Sequence, residues 1–423
     1  MRELLASRPY RLLFLAGFLS ELGTYISEVA ILMRIFELAG QQKQYLGITQ
    51  GIFLLLMVLG TLLGGVFGEG RAKKQILLGC ELARIPVLAA MLAFSSSLWV
   101  LIMGNALVAF FSGAFNPTRQ ALMNELLPGH LLPKANALFS TSFAFLHAAG
   151  PILGALFFAT THSLTPILQL DLATYVVGIV LLTRLALPPL QTAPVGPSRA
   201  ASESSQAAAD SLQAASKSPH APGFFEDLRA GFALLRQRPD FLWIAARCVL
   251  ASTALGIVIP LLLPMTTEVL RLPDSAYGLL LGAFGLGGAL GSLVLAGKLS
   301  AYSVERVLRW LVAGEAVCLL VWALCLVPAF SFLMAFAYGA LLFARITSQL
   351  NFVSLKLPPA FNARANALFD LGMVVPNMAG AGLVACAGAN LNTARFLWIT
   401  GISLCTGILL TWGLEWRSQK TLD

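Results

Sequence analysis

The sequence predicts an all-α integral membrane protein with about twelve transmembrane helices in two bundles of six. Hydrophobic residues make up 57% of the chain and charged residues only 11%, whereas a soluble domain has about a quarter charged residues. Many apolar segments reach the ~20 residues that a helix needs to cross a bilayer. Backbone amides in lipid must be paired within their own segment, and these segments lack the polar alternation of barrel strands. The spans are therefore expected to be helical.

Six apolar segments precede a polar stretch in the middle of the chain, and six follow it. The first six lie at residues 12–36, 47–67, 76–96, 98–115, 135–159 and 165–187. The second six lie at residues 241–264, 276–297, 307–327, 330–350, 366–387 and 396–413. The first segment is too long for a cleavable signal peptide, so we expect it to be retained.

Lys and Arg are distributed unevenly between the two sets of loops. If the N-terminus is cytoplasmic, the loops on the opposite side contain only Lys43, Arg271 and Arg395. The positive-inside rule therefore predicts a multi-pass protein of the plasma (inner) membrane with both termini in the cytoplasm. This asymmetry accounts for the formal net charge of +8, so no nucleic-acid partner is needed to explain it.

The polar stretch at residues 193–223 is rich in Ala, Ser, Pro and Gln and poor in bulky apolar residues. It predicts a disordered cytoplasmic linker. The predicted domains are an N-terminal six-helix bundle at residues 1–190, the linker at residues 191–223, and a C-terminal six-helix bundle at residues 224–423. An interfacial amphipathic helix is expected to precede the second bundle, because apolar residues recur at helical spacing, namely Phe224, Phe225, Leu228, Phe232 and Leu235.

Two short segments are nearly identical, KANALFS at residues 134–140 and RANALFD at residues 364–370. Each begins the fifth span of its set of six, and the match continues to Gly150 and Gly380. An even number of spans separates the copies, so both have the same orientation and the repeat is parallel. The equal position within each set favours duplication over chance.

The segment GGVFGEGRAKKQIL at residues 64–77 resembles the signature of the major facilitator superfamily between the second and third spans. In that signature an acidic residue follows a Gly and precedes basic residues. Here Glu69 stands where Asp is usual, whereas Gly70 and Ala72 depart from the common Arg and Gly. The resemblance implies the major facilitator fold, which is built from two parallel six-helix repeats.

Three further segments resemble a bacterial exporter branch that includes macrolide-efflux and siderophore-export proteins. They are FFSGAFNPTRQALMNELLP at residues 110–128, ANALFSTSFAFLHAAGPILGAL at residues 135–156 and YGLLLGAFGLGGALGSL at residues 277–293. The resemblance covers nearly the whole chain apart from the linker. It implies a secondary transporter that works by alternating access without a cofactor or a metal.

The superfamily signature implies a cytoplasmic latch that holds the outward-facing arrangement. A carboxylate at the cytoplasmic end of a helix can pair with Arg and face the positive N-terminus of another helix. By resemblance, the partners of Glu69 are Arg119 and the helix that begins near Asn366. The latch residues are Gly65, Glu69, Arg71, Lys73, Lys74, Arg119 and Asn366. The alternative is a solvated basic loop that only fixes the topology.

A Gly-Pro pair in the fifth span, Gly150-Pro151 with Gly154, resembles the signature of proton antiporters, although Ala155 replaces one expected Gly. Gly150 and Gly154 form a small face for close helix contact, and Pro151 is expected to bend the span.

Ionisable residues inside the spans are candidates for function, because the bilayer tolerates them at a cost of several kcal/mol unless they face partners or water. Glu21 and Glu28 are seven residues apart, which places them on one helix face and ~10 Å apart along the axis. Related exporters commonly have Asp where Thr24 stands, so Glu21 or Glu28 would take its role. The candidates for proton coupling are Glu21, Glu28, Asp171 and His147.

Other polar residues are candidates for a substrate cavity. They are Thr24, Tyr25, Asn116, Arg247, Arg345, Asp370 and Asn377. Glu81 and Arg84 are expected to form an ion pair on the third span. For each of these residues, structural pairing or packing is the alternative to a direct role in transport.

The predicted function is export of small organic compounds, either drug-like molecules or siderophores, by proton antiport. The partners are then a small-molecule substrate, protons and the lipid bilayer, and the chain is expected to be a monomer. One alternative is a lysophospholipid flippase-like transporter, and another is a membrane sensor that does not transport. An enzyme is disfavoured, because the four His have no paired ligand spacing and no nucleophile elbow or P-loop is present.

Overall fold

The computed structural model describes residues 2–67, 73–128, 131–186, 239–295, 303–356, 359–388 and 391–420. The described residues form helices and no strand. The predicted linker, the predicted amphipathic helix and the loop around Glu69 lie outside the described residues.

Twelve long helices follow one another along the described chain, after a short N-terminal helix at Arg2–Ala6. The first to sixth spans are Arg8–Leu38, Gln44–Phe67, Lys73–Ala93, Leu98–Leu126, Leu132–Thr161 and Thr165–Thr183. The seventh to twelfth spans are Pro239–Pro264, Ser275–Leu290, Val304–Leu324, Pro328–Lys356, Pro359–Ala387 and Thr393–Lys420. Short π-helical turns at Met265–Val269 and Gly291–Leu295 extend the seventh and eighth spans.

The predicted fold class is confirmed. Eleven described helices are long and apolar enough to cross a membrane, and the eleventh span adds a shorter apolar segment at Leu371–Ala387. Several predicted boundaries differ from the observed ones. The eleventh span begins at Pro359 rather than residue 366, and the twelfth ends at Lys420 rather than residue 413. The fourth span continues to Leu126 rather than residue 115, because its polar last turns remain helical after the apolar segment ends. The sixth span ends at Thr183 rather than residue 187.

Glycines bring equivalent spans together in both sets of six. On the second span, a Cβ at Gly64 would lie 2.5 Å from the carbonyl oxygen of Ala114 on the fourth span. On the extended eighth span, a Cβ at Gly291 would lie 2.5 Å from the Cα atom of Ala340 on the tenth span. The backbones of each pair are therefore in direct contact. The same close contact in both sets agrees with a parallel repeat.

The fifth span packs against the first through its glycines. A Cβ at Gly150 would lie 2.5 Å from the Cβ atom of Tyr25, and Gly154 contacts the backbone of Ile26. Pro151 lies inside the helix between these two glycines. The Gly-Pro segment therefore fixes the distance between the fifth span and the part of the first span that carries Glu21 and Glu28.

The two sets of spans meet along two further helix pairs. The second span crosses the eleventh, where a Cβ at Gly47 would lie 2.6 Å from the carbonyl oxygen of Ala381. The fifth span crosses the eighth, where a Cβ at Gly285 would lie 2.5 Å from the carbonyl oxygen of His147. Both crossings depend on glycine, since any other side chain would separate the helices.

A chain with twelve spans has both termini at one end of the bundle, here called the terminus end. Buried apolar residues at the other end, here called the opposite end, form one cluster that contains members of both sets, such as Ile31 and Leu261. At the terminus end, the described buried apolar residues form separate clusters, one around Leu13 and Phe115 and one around Leu311. The apolar packing between the two sets therefore lies at the opposite end, as far as the described residues extend.

Substitution of Gly64 tests the contact between the second and fourth spans. Gly64→Ala places a methyl group where the fourth-span backbone lies, so we expect a loss of roughly 1–3 kcal/mol of stability. The matched control is Gly79→Ala on the third span, where nothing lies within 4 Å of the added Cβ and helix propensity favours Ala. Thermal unfolding in detergent measures both variants. Equal stability of the two variants would contradict the close contact.

Candidate functional site

Two unpaired carboxylates lie on one face of the first span. Glu21 is 8% exposed, and its Oε1 atom has no hydrogen-bond partner among the described residues. Glu28 is partly buried two turns further on and is close enough to Tyr277 of the eighth span to interact with it electrostatically. The two carboxylates thus lie on one side of the first span, Glu21 beside the fourth and fifth spans and Glu28 near the eighth.

A small pocket surrounds Glu21. Its lining residues come from the first, fourth and fifth spans, and half of them are aromatic: Phe14, Phe18, Glu21, Arg119, Phe139, Ser142, Phe143 and Leu146. A second pocket adjoins it towards the terminus end and shares three of these side chains, Phe14, Arg119 and Phe139. The aromatic rings of Tyr10, Phe14 and Phe18 follow one another along the first span, with ring centres 6.0 Å apart in each step. An aromatic path therefore leads from the terminus end to Glu21.

Arg119 supplies the positive charge of this pocket. Its guanidinium carbon lies 4.3 Å from the ring centre of Phe139, and its Nη2 donates a hydrogen bond to Asn116 Oδ1 at 2.9 Å. A Cβ at Gly17 would lie 2.5 Å from Arg119 Nη1, so the side chain extends across the first span one turn before Glu21. The pocket thus offers aromatic surface together with one cationic and one anionic group.

His147 of the fifth span lies beside this face of the first span. Its Nδ1 atom is 3.1 Å from the Phe143 carbonyl oxygen, so we assign the ring hydrogen to Nδ1, which leaves Nε2 to accept a hydrogen bond from the Tyr25 hydroxyl at 3.3 Å. The His147 ring also lies 6.1 Å from the ring of Phe343 on the tenth span. These contacts favour the packing role that was the alternative to proton coupling.

Asp171 of the sixth span faces the first span rather than the pocket. It is 1% exposed, and its Oδ2 atom accepts a hydrogen bond from Ser27 Oγ at 2.6 Å. A Cβ at Gly23 would lie 2.6 Å from Asp171 Oδ1. The predicted cavity residue Thr24 is also on this side, where its Oγ1 atom lies 2.8 Å from the Tyr175 hydroxyl. Asp171 therefore belongs to the contact between the first and sixth spans.

A buried ion pair on the third span joins four spans. Arg84 Nη1 lies 3.3 Å from Glu81 Oε1 and 3.1 Å from Ser20 Oγ. Ser20 Oγ donates a hydrogen bond to Glu81 Oε1 at 2.8 Å, and Arg84 Nη2 donates one to Ser112 Oγ at 2.8 Å. The Arg84 guanidinium also lies 5.1 Å from the ring centre of Tyr175. The sequence predicts the pair itself, because Glu81 and Arg84 are neighbours on a helix, but not these distant partners.

Two charged candidates of the second set, Arg345 and Arg247, are held in ion pairs within that set. Arg345 Nε lies 2.6 Å from Glu315 Oε1, and both side chains are fully buried. Arg247 pairs with Glu415 and donates a hydrogen bond from Nε to Thr411 Oγ1 at 3.2 Å. These contacts favour structural pairing for Arg247 and Arg345.

The remaining candidates are only partly described. The Oδ1 atom of Asn377 on the eleventh span has no hydrogen-bond partner in the described part of the chain. Asp370 and Asn366 lie on the same helix and Gly65 lies on the second span, but their surroundings are outside the description. Glu69 and Arg71 are in the loop between residues 67 and 73 and are likewise not described.

Lys73 and Lys74, which follow the undescribed loop, connect the third span to the fourth and sixth spans. Lys73 Nζ lies 2.6 Å from Glu125 Oε1 at the end of the fourth span. Lys74 Nζ donates hydrogen bonds to the carbonyl oxygens of Thr183 at 3.0 Å and Leu185 at 2.7 Å, where the sixth span ends. These three contacts lie within the first set of spans.

Twelve long helices, most of them apolar enough to cross a membrane, equivalent glycine contacts in two sets and a polar pocket inside the first set are typical of a membrane transporter. The chain belongs to the Major Facilitator Superfamily, whose family model matches residues 13–381. A search of curated proteins gives no match.

Solved transporter structures share this fold at low sequence identity. A bacterial homologue of the iron transporter ferroportin in an inward-facing state has a TM-score of 0.69 and 14% identity, with 97% of this chain and 98% of that chain covered. The nucleoside transporter NupG has a TM-score of 0.68 and 15% identity, with 95% and 99% covered. A bacterial homologue of the human lysosomal transporter Spinster, inward-facing and unoccupied, has a TM-score of 0.68 and 13% identity, with 98% and 97% covered.

Substitutions of the third-span pair test its structural role. Arg84→Met leaves the Glu81 carboxylate buried without its cation, which is expected to cost about 3–5 kcal/mol of stability. The double variant Glu81→Met with Arg84→Met removes both charges and should recover most of that loss. The control is Arg34→Met, which removes an ion pair whose side chains are 34% and 44% exposed and should cost about 0–1 kcal/mol. Thermal unfolding in detergent compares them, and a double variant no more stable than Arg84→Met would argue against direct pairing.

Proposed function

We propose that the protein exports small organic compounds by proton antiport, and that Glu21 and Glu28 of the first span carry the protons. The observation that supports this proposal is that both carboxylates lie in the interior without an ion-pair partner among the described residues. Glu81 and Glu315 are buried too, but each is paired with an Arg. A carboxylate in such a pair cannot be protonated without leaving its partner charge unpaired. Neither Glu21 nor Glu28 forms such an ion pair with a described residue, although Glu21 shares its pocket with Arg119.

The two sets of spans differ in how they use one pair of equivalent arginines. The contacts Gly64 with Ala114 and Gly291 with Ala340 make the fourth and tenth spans equivalent, and Arg119 and Arg345 each follow five residues later. Arg345 is fully buried against Glu315, whereas Arg119 lines a pocket with Glu21. This difference favours the first set as the place where charge changes during transport.

The aromatic pocket supports an organic substrate of amphipathic character. Aromatic rings provide apolar surface for the body of such a molecule, while Glu21 and Arg119 can bind polar groups of either sign. The resemblance to macrolide-efflux and siderophore-export proteins is the second support for this substrate class. A lysophospholipid remains the alternative within transporters, and a sensor without transport remains the alternative outside them.

The proposal includes a conformation and an orientation. Apolar packing between the two sets lies at the opposite end, and two of the similar structures are described as inward-facing. We infer a state closed at the opposite end, with both termini in the cytoplasm and the protein in the plasma (inner) membrane. We further propose two six-helix domains, residues 1–190 and 224–423, a linker at residues 191–223, and a monomer that works without a cofactor.

Glutamine substitutions on the first span test the coupling. Glu21→Gln and Glu28→Gln remove the exchangeable proton but keep size and polarity, so we expect efflux to lose its acceleration by a pH gradient while substrate binding remains. The measurement is substrate movement in proteoliposomes after a pH jump, with a hydrophobic cation and a lysophospholipid as separate substrates. Absence of flux with every compound would favour the sensor.

The matched control is Glu37→Gln, near the end of the same span, where the side chain is 44% exposed and pairs with Arg34. This variant should respond to the gradient like the unaltered protein. A double variant with Gln at both positions 21 and 28 that still responds like the unaltered protein would show that the carboxylates are structural. Asp171→Asn is then the next variant to measure.

The latch at the terminus end remains part of the proposal. If Glu69 pairs with Arg119 and the start of the eleventh span in the outward-facing state, Glu69→Lys places like charges there. We expect the population to shift towards the state open at the terminus end. Accessibility labelling from both sides of the membrane measures the shift, and an unchanged labelling pattern would contradict the latch.

A further inference from the structure

A buried lysine connects the two sets of spans at the opposite end. Lys43 lies between the first and second spans and is 8% exposed. Its Nζ atom lies 2.7 Å from Glu268 Oε2, in the π-helical turn that ends the seventh span. The same atom donates a hydrogen bond of 2.7 Å to the Leu391 carbonyl oxygen, just before the twelfth span. One ammonium group of the first set therefore binds two separate segments of the second set.

The position of Lys43 makes this contact dependent on how the two sets are arranged. Lys43 precedes Gly47 by one helical turn, and Gly47 is where the second span crosses the eleventh. Leu46 and Leu391 both belong to the apolar cluster that contains residues of both sets. A movement that separates the sets at this end must therefore break both bonds of Lys43 along with the apolar packing.

The chemistry of the contact suits a bond that forms and breaks. An ammonium group removed from water is costly to bury unless it is paired, and here a carboxylate and a carbonyl compensate for most of the lost hydration. Glu268 keeps 32% of its side chain exposed, so water can take over when the partners separate. The bond therefore stabilises the closed arrangement without preventing its opening.

The sequence context supports a specific role for this residue. Lys43 is one of three basic residues in loops where the positive-inside rule disfavours them. The other two, Arg271 and Arg395, are exposed and form no ion pair within the described residues. Lys43 alone of the three is buried between the sets.

We propose that Lys43 is a clamp that closes the opposite end of the transporter and sets how often this end opens. The proposal rests on the alternating-access part of the proposed function but not on its substrate or its proton coupling. Loss of the Lys43 bonds is expected to raise the population of the state open at the opposite end. In the proposed orientation this is the outward-facing state.

Hydrogen exchange of the full-length protein, measured by mass spectrometry without substrate or pH gradient, tests the clamp. In Lys43→Met we expect exchange to become about tenfold faster, as for loss of a hydrogen bond to a charged group. The faster exchange should include the contact between the fifth and eighth spans, near Gly278 and Gly285, which Lys43 does not touch. Faster exchange confined to the loops next to Lys43 and Leu391 would show a local structural role and overturn the proposal.

Three further variants separate the clamp from other effects. Lys43→Arg keeps the charge and the donors and should exchange nearly as slowly as the unaltered protein. The exchanged pair Lys43→Glu with Glu268→Lys should restore slow exchange relative to Lys43→Glu alone. Arg395→Met removes an exposed basic residue from the same end and should change nothing. Exchange in Lys43→Met equal to that in Arg395→Met would overturn the clamp, and this outcome would leave the Glu21 and Glu28 assignment unaffected.

Discussion

Burial of charge in a helix bundle surrounded by lipid is the constraint on which the arrangement of this protein depends. Water is scarce between the spans, so an ionised side chain there needs a partner of opposite charge, hydrogen-bond donors or a route to water. Glu81 with Arg84 and Glu315 with Arg345 satisfy this need locally. The Glu315–Arg345 pair joins the ninth and tenth spans, and the third-span pair contacts the first and fourth spans through Ser20 and Ser112. Because most buried charges are used in this way, the few carboxylates without a partner become informative.

The same constraint gives the two sets of spans different tasks. In the second set, the buried Arg345 and Arg247 are neutralised by Glu315 and Glu415, so a change of charge in either pair would leave a buried ion unpaired. In the first set, Glu21 faces a pocket that also contains Arg119, and a proton or a charged group of a substrate can enter without breaking an existing pair. The duplication thus supplies two similar scaffolds, while the side chains make the first set the more suitable place for coupling.

Much of the fold could be predicted from the sequence, whereas the site could be predicted only in part. Apolar segment length predicts the spans, and the repeated ANALF segments predict the parallel repeat, because both signals are local. Glu21 and Glu28 share a face by helical spacing alone. The contributions of Ser20, Ser27 and Ser112 could not be seen, since a hydroxyl group within an apolar helix resembles a packing residue until its partner is known. The pairing of Arg247 with Glu415, 168 residues apart, has no sequence signal at all.

The position of each polar contact between the two ends of the bundle determines which role it can have in the proposed mechanism. Lys43 lies at the opposite end, where opening would expose Lys43 and Glu268 to water. Hydration would then replace the broken bond, so the free-energy difference between the closed and open states would stay small. Glu21 and Glu28 lie between the ends, where hydration depends on which end is open. Their protonation can therefore change with the conformation, whereas the ion pair of Lys43 with Glu268 can only shift the balance between closed and open states. The glycine contacts at Gly47 and Gly285 hold the backbones of the two sets together, and such close packing provides surfaces on which the sets can rotate. In the proposed mechanism this protein uses both kinds of polar contact, Lys43 to set how often one end opens and the first-span carboxylates to respond to that opening.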